Sequence, residues 1–283
     1  MVFDRLIGAS RRPAEPWPDL EVSLRDLDRL IAARPELAGP GRSLRGILSA
    51  TFTGPLEVEK RTESSAVRSF RESPPQIDTE RLRERLLAVL GTISARSPSI
   101  SRLRDALKYR RIDLARWAES IVKAEFESLV ESIEPIGVEF ELVESSMRFA
   151  LMPTLASYSG ATDRSSADCP WCGMPPILGE LRGLEREVRF RCGLCAGDWP
   201  GFRARCLNCE ESDHRRLRSF HVEGQADRCR LVVCDSCGSR RKLVSTFARL
   251  SAPALLVADF ASMHLDLVDD SRLVISSPLS AES

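Results

Sequence analysis

The sequence predicts an α+β chain. A helical N-terminal domain over residues 1–157 is followed by a linker (158–168), a small β-rich domain carrying two four-cysteine metal sites (169–275) and a flexible tail (276–283). Three observations carry this reading. Apolar residues in the first half recur at helical intervals, residues 157–168 are almost free of large apolar groups, and all nine cysteines lie between Cys169 and Cys237, eight of them in C-x-x-C pairs among short β-type runs.

Two domains suit 283 residues, at roughly 100–200 residues per domain. With 43% hydrophobic residues and 41 basic against 41 acidic side chains, the chain can bury a core but has no net field to draw it to nucleic acid or an anionic membrane. The opening residues mix Asp4, Arg5, Arg11, Arg12 and Glu15 with Pro13, Pro16 and Pro18, unlike a secretory signal. No later stretch reaches the ~18 apolar residues of a membrane span. A soluble, cytoplasmic protein is therefore expected, with its first ~20 residues loosely ordered.

The helices are read from spacing. Leu24, Leu27, Leu30 and Ile31 place a first helix over Val22 to Arg34, closed by Pro35 and the break Gly39-Pro40-Gly41. Asp78 is the N-cap of a second, whose face carries Leu82, Leu86, Val89, Leu90 and Ile93, and Ser97-Pro98 ends it. From Asp113 to Glu134 the residues Leu114, Trp117, Ile121, Val122, Phe126, Leu129, Val130 and Ile133 predict one helix of about six turns. A last helix covers Glu144 to Ser157, kinked or opened by Pro153. Residues 61–76 form a polar stretch suited to a long loop.

After the linker, Val188 to Arg191, Ser219 to Val222, Arg230 to Val233 and Leu255 to Val257 read as β-type runs, most of them beside a cysteine pair. The pairs are Cys169/Cys172, Cys192/Cys195, Cys206/Cys209 and Cys234/Cys237, with 19, 10 and 24 residues between successive pairs. Two cysteines three apart on a tight turn can put both sulfurs on one ion, and a second turn completes a tetrahedron. In a reduced cytosolic chain this spacing points to metal thiolates rather than disulfides. Sequential pairing, first with second and third with fourth, is preferred over an interleaved pairing that crosses hairpins. Gly173 and Gly238 suit the left-handed residue that ends such a turn, Ala196 and Glu210 less so.

Residues 169–242 hold 14 Arg or Lys against 10 Asp or Glu, an excess that two divalent ions in tetrathiolate sites would neutralise. Eight cysteines leave no coordination position open for substrate, which argues against hydrolytic metal catalysis. Zinc and a single iron fit such a site equally well. Cys229 is left over as a spare thiol. His214, His221 and His264 have no ligand spacing, and Arg215, Arg216 and Arg218 among Glu210, Glu211 and Asp213 read as a solvated loop. Trp171 and Trp199 are expected to cover the sulfurs. No phosphate-binding, dinucleotide, nucleophile-elbow or zinc-protease motif occurs, and no catalytic residue is assigned.

The run Cys192-Gly-Leu-Cys195-Ala-Gly-Asp-Trp199-Pro-Gly-Phe-Arg-Ala-Arg-Cys206-Leu-Asn-Cys209, preceded by Cys169-Pro-Trp-Cys172-Gly173 and followed by Cys234-Asp-Ser-Cys237-Gly238, resembles the formate dehydrogenase accessory proteins, the FdhE family. The tail Pro253 to Asp266 is similar to the family's C-terminal segment. This chain departs in placing Arg240 and Arg241 before Lys242, and in reducing an expected acidic pair to Asp259. The resemblance implies tandem rubredoxin-like or zinc-ribbon-like sites in which all eight paired cysteines bind two metal ions, iron by resemblance or else zinc. It implies a chaperone-like maturation factor, not an enzyme, whose partner is the catalytic subunit of formate dehydrogenase. A rubredoxin-like electron carrier is one alternative. A zinc-ribbon nucleic-acid module is another, for which Arg182, Arg186, Arg189 and Arg191 would have to face phosphate; acidic neighbours disfavour it. A homodimer is compatible with the sequence.

Overall fold

The computed structural model describes residues 17, 19–53, 69–93, 97–221, 228–267 and 274–276. The expectations for the loose start, for residues 61–68 and for residues 277–283 lie outside them. Helices α1 (Leu20–Ala33), α2 (Ala38–Phe52), α3 (Thr79–Thr92), α4 (Pro98–Lys108), α5 (Leu114–Lys123), α6 (Glu127–Ile133) and α7 (Phe140–Tyr158) precede strands β1 (Pro176–Arg182), β2 (Glu187–Cys192), β3 (Asp198–Pro200), β4 (Leu217–His221), β5 (Cys229–Cys234) and β6 (Arg240–Thr246). Helices α8 (Ala252–Ala261) and α9 (His264–Leu267) and strand β7 (Val274–Ser276) follow. Among the described residues no helix is long and apolar enough to cross a membrane.

Asp78 caps α3 as its type predicts, its carboxylate accepting from the N–H groups of Glu80 (3.0 Å) and Arg81 (3.1 Å). The predicted helix from Asp113 to Glu134 is instead two. Ala124 turns left-handed at φ 56°, with Ala124 N–H on the Ile121 carbonyl and Glu125 N–H on that of Ser120, so α5 ends in a Schellman motif. Helix α6 then folds back, tied by Trp117 Nε1 to Ser132 Oγ (2.7 Å) and by the Ser120 and Ser128 hydroxyls (2.9 Å).

Gly39-Pro40-Gly41 does not break the chain but opens α2. The missing N–H of Pro40 is harmless in a first turn, and a Cβ on Gly41 would lie 2.6 Å from Ile31 Cγ1, so glycine lets α1 and α2 approach. Pro98 likewise begins α4 one residue after its N-cap, Ser97. Helix α7 runs through Pro153 from Phe140, earlier than the predicted start at Glu144. Leu255 to Val257 is helical rather than extended, inside α8, which Ser251 caps through the Ala254 N–H (3.4 Å).

The sheet order is β3-β2-β1-β6-β5-β4-β7, antiparallel throughout except where β1 meets β6. It contains a repeat. Cysteine turn 169–172, the β1–β2 hairpin, turn 192–195 and β3 are followed by turn 206–209, the β4–β5 hairpin, turn 234–237 and β6. Two ribbon units therefore lie side by side in one orientation, and all four cysteine turns fall at the same end of the sheet. Both faces are apolar. Leu181, Phe190, Val232 and Leu243 join a cluster that includes the cores of α3 to α7, while Leu178, Leu231, Val233 and Val244 pack with α1, α2 and α8.

Candidate metal centre

The four turns close in one way. The N–H groups of Cys169, Cys192, Cys206 and Cys234 donate to the carbonyls of Met174, Gly197, Glu211 and Ser239, at 2.8, 3.1, 2.8 and 2.9 Å. The residue after the second cysteine is left-handed in every case: Gly173 φ 75°, Ala196 φ 53°, Glu210 φ 59° and Gly238 φ 72°. Ala196 and Glu210 accept the conformation that glycine takes freely.

This geometry gathers the sulfurs of Cys169, Cys172, Cys192 and Cys195 into one cluster and those of Cys206, Cys209, Cys234 and Cys237 into another, all four Sγ atoms of each within 4.8 Å of one another. The pairing is sequential. Neighbouring sulfurs are 3.5 Å (Cys169 to Cys195) and 3.4 Å (Cys172 to Cys192) apart in the first cluster. In the second, Cys206 to Cys237 and Cys209 to Cys234 are both 3.6 Å. A tetrahedron with metal–sulfur bonds of roughly 2.3 Å has edges of about 3.8 Å, so each cluster can hold one ion in closed all-sulfur coordination.

The clusters differ in setting. In the first all four cysteines are buried, the least so Cys169 at 3%, under Trp171 and Leu194. A Cβ on Gly197 would meet Trp171 Cε3 at 2.7 Å and Cys169 Sγ at 3.2 Å, so the cover is tight. Trp199 is fully buried, its Nε1 on the Ser166 carbonyl (2.9 Å) and its ring edge-on to Phe190, so of the two tryptophans Trp171 is the one placed beside Cys169. Burial pushes the Cys192 thiol up, but the S–H groups of Cys169, Cys172 and Cys195 outweigh it, and Cys192 ionises well below the usual thiol range. In the second cluster Cys206 and Cys234 are buried with Leu217, whereas Cys209 and Cys237 are exposed. Ser239 and Asn208 bring the Cys237 thiol down to about 6.

Cys229 belongs to neither cluster; it is a buried thiol opening β5, opposite Val244. No histidine joins either cluster. Arg216 pairs with Glu211 on the exposed loop, whereas Arg218 lies in β4 and pairs with Asp235 of the fourth cysteine turn. Arg189 and Arg191 are buried in ion pairs, not turned to solvent.

These arginines lead to a feature the sequence reading missed. Glu180, completely buried, binds Arg191, Arg182 (2.8 Å), Thr246 Oγ1 (3.1 Å) and the Leu250 N–H (3.3 Å). Asp198, equally buried, meets Arg189 (2.8 Å), Arg182 (2.9 Å) and Arg249 (3.3 Å). Burial pushes the Asp198 carboxyl up, but Arg189, Arg182 and Arg191 hold it below the usual carboxylate range. Arg191 also donates to the carbonyls of Ala196 (3.2 Å) and Leu250 (2.8 Å), so the network fixes the second cysteine turn against the approach to α8. A readable signal existed, since Glu180 and Arg182 on β1 and Arg189 and Arg191 on β2 alternate with apolar residues; the register sets Glu180 opposite Arg189 with Arg191 on the diagonal. Lys242 Nζ also bonds both Asp259 and Asp266 at 2.6 Å.

No family model matches the chain. Among curated proteins it is 32% identical over 179 residues to an FdhE homologue of Pseudomonas aeruginosa, covering 60% of this chain and 54% of that protein. It is 27% identical over 158 residues to an FdhE homologue of Aquifex aeolicus, covering 53% and 55%. With the FdhE protein of Salmonella paratyphi B it shares 25% over 173 residues, covering 60% and 54%. The chain thus spans about half the length of the curated relatives it matches. In fold it is similar to the crystal structure of the FdhE protein from Pseudomonas aeruginosa, with a TM-score of 0.54 at 20% identity, covering 89% of this chain and 93% of that one. The chain is therefore similar to FdhE proteins in fold over nearly its whole length and in sequence over about half of theirs, and it carries two four-cysteine clusters.

Proposed function

We propose that the protein is a cytoplasmic accessory factor for the assembly or activation of formate dehydrogenase, that it binds the catalytic subunit of that enzyme, and that Cys169, Cys172, Cys192, Cys195 and Cys206, Cys209, Cys234, Cys237 hold two metal ions, iron or zinc. The observation that carries the reading is the pair of closed all-sulfur clusters in an FdhE-like fold. With every position a cysteine, a bound ion has no vacancy for substrate, which favours a binding role over an enzymatic one.

Co-purification tests it. A tagged full-length chain should retain the formate dehydrogenase catalytic subunit from cells making both, and Cys234→Ser/Cys237→Ser should lose that subunit together with one of two metal equivalents. Retention of two ions without the subunit would remove the partner and leave the metal sites standing. An electron carrier is the second reading, favoured by the exposed sulfurs of the second cluster; it requires a reversible redox signal from bound iron. The burial of Arg189 and Arg191 counts against a nucleic-acid module, which would need those charges free for phosphate.

A further inference from the structure

We propose that the two clusters divide the work: the first keeps its ion, and the second is an exchange site that trades its ion with an outside thiolate. This rests on the reading that both clusters hold metal. Ligand exchange at a four-coordinate ion needs room for an incoming donor and freedom for a departing one. The first cluster offers neither. Its sulfurs lie inside an apolar cluster that includes the cores of α3 to α7, and Trp171 and Gly197 close directly on Cys169.

The second cluster is open on two sides. Cys209 and Cys237 are exposed. Cys206 and Cys234 line a cavity of about 260 Å³ between the cysteine ends of the two ribbon units, bounded by Asp168 and Pro176 from one unit and by Asn208 and Ser239 from the other; no cysteine of the first cluster lines it. The same cavity presents Arg241, whose guanidinium donates to the carbonyls of Phe202 (3.2 Å) and Arg205 (3.3 Å) and has no carboxylate partner among the described residues. A half-buried cation in that position favours an anionic donor over a neutral one.

The step is substitution without redox change. An incoming thiolate would form a sulfur–metal bond as the Cys209 Sγ–metal bond breaks; Cys209 would depart as thiolate, so one thiolate replaces another with no net change in charge or protons. Repetition moves the ion to the acceptor.

The test uses the full chain loaded with two zinc ions, with release followed by a chromogenic chelator. One arm adds glutathione and the other a short peptide bearing a C-x-x-C pair. The expected result is two phases of one equivalent each, only the fast one accelerated by thiol. Acceleration by glutathione would point to small thiols as acceptors, and acceleration by the peptide alone to a polypeptide. The variant Cys209→Ser/Cys237→Ser, with its helical circular dichroism preserved, should bind one ion and show only the slow phase. Release of both ions in a single phase, a fast phase that ignores both thiols, or a fast phase that survives in the variant would overturn the exchange site while leaving two metal sites intact. A chain that retains no ion would overturn the metal reading beneath it.

Discussion

The helical region and the sheet region are held together by different chemistry. Residues in α3 to α7 bury Leu86, Leu90, Leu103, Leu107, Trp117, Leu129, Met147 and Leu151 against one another, and area removed from water, about 25 cal/mol per Å², is sufficient cause for that core. The sheet region buries the first set of cysteines and half of the second, two carboxylates and the guanidinium groups of Arg189 and Arg191 beside its apolar residues. Its native geometry depends on partners for those groups. One region tolerates approximate complementarity, the other does not.

Removing metal should separate them most. Zinc contributes an apparent ~10–16 kcal/mol in small zinc-finger peptides near pH 7, so stripping both clusters should expose the β1 to β6 amides to hydrogen exchange while α3 to α5 stay protected. Equal loss of protection in both would show a single cooperative unit and break the comparison. Next in size, Glu180→Ala strands the buried Arg191 guanidinium and should cost roughly 3–5 kcal/mol in urea unfolding, whereas Glu180→Ala/Arg191→Met should recover much of it. A double variant as unstable as the single would assign the loss to packing rather than to the stranded charge.

The two regions were also unequally legible in the sequence. The two-residue spacing within each pair is dictated by the tetrahedron, so all eight cluster positions could be read directly, whereas sequential partnering was only the preferred arrangement until the structure brought the sulfurs together. Helical periodicity reports which face is buried but not where a chain folds back. Trp117, Ile121, Leu129 and Ile133 keep their rhythm across Ala124, where the left-handed residue lacks the glycine that would have announced it. Gly39-Pro40-Gly41 misled in the opposite sense, because glycine and proline in a first turn serve packing and not termination. Leu255 to Val257 is too short an apolar run for periodicity to separate strand from helix. Glu180 and Asp198 escaped because charged residues on a strand look solvent-facing until the cross-strand register is known.

In the helical region Leu107→Ala should cost about 2–5 kcal/mol, since Leu107 is fully buried and its removal leaves a cavity in a core that relaxes only in part. It should leave metal stoichiometry unchanged. If Leu107→Ala also releases an ion, the apolar cluster shared by the helices and Cys169 transmits more than the comparison allows.

Acid should distinguish the regions through Asp198. Its carboxyl is held below the usual range in the folded state, so the stability it contributes is present above the unfolded pKa and is lost as pH falls through the folded value. Asp198→Asn should therefore be less stable than the parent at pH 7, with the gap narrowing as the pH drops below about 4. Referring each protein to its own metal content at the same pH separates this from protonation of the thiolates. A gap independent of pH would mean that Asp198 acts by shape alone.

The smallest expected effect is at the Asp78 cap. Its carboxylate satisfies two of the N–H groups that α3 would otherwise leave to water, and Asp78→Ala should cost about 1 kcal/mol. Water can reach those N–H groups when the side chain is cut back, so little else should change. Asp78→Asn, which keeps the acceptor and removes the charge, should restore most of the loss. If asparagine does no better than alanine, the charge at the helix terminus outweighs the hydrogen bonds, and the helical region depends on electrostatics more than its apolar core suggests.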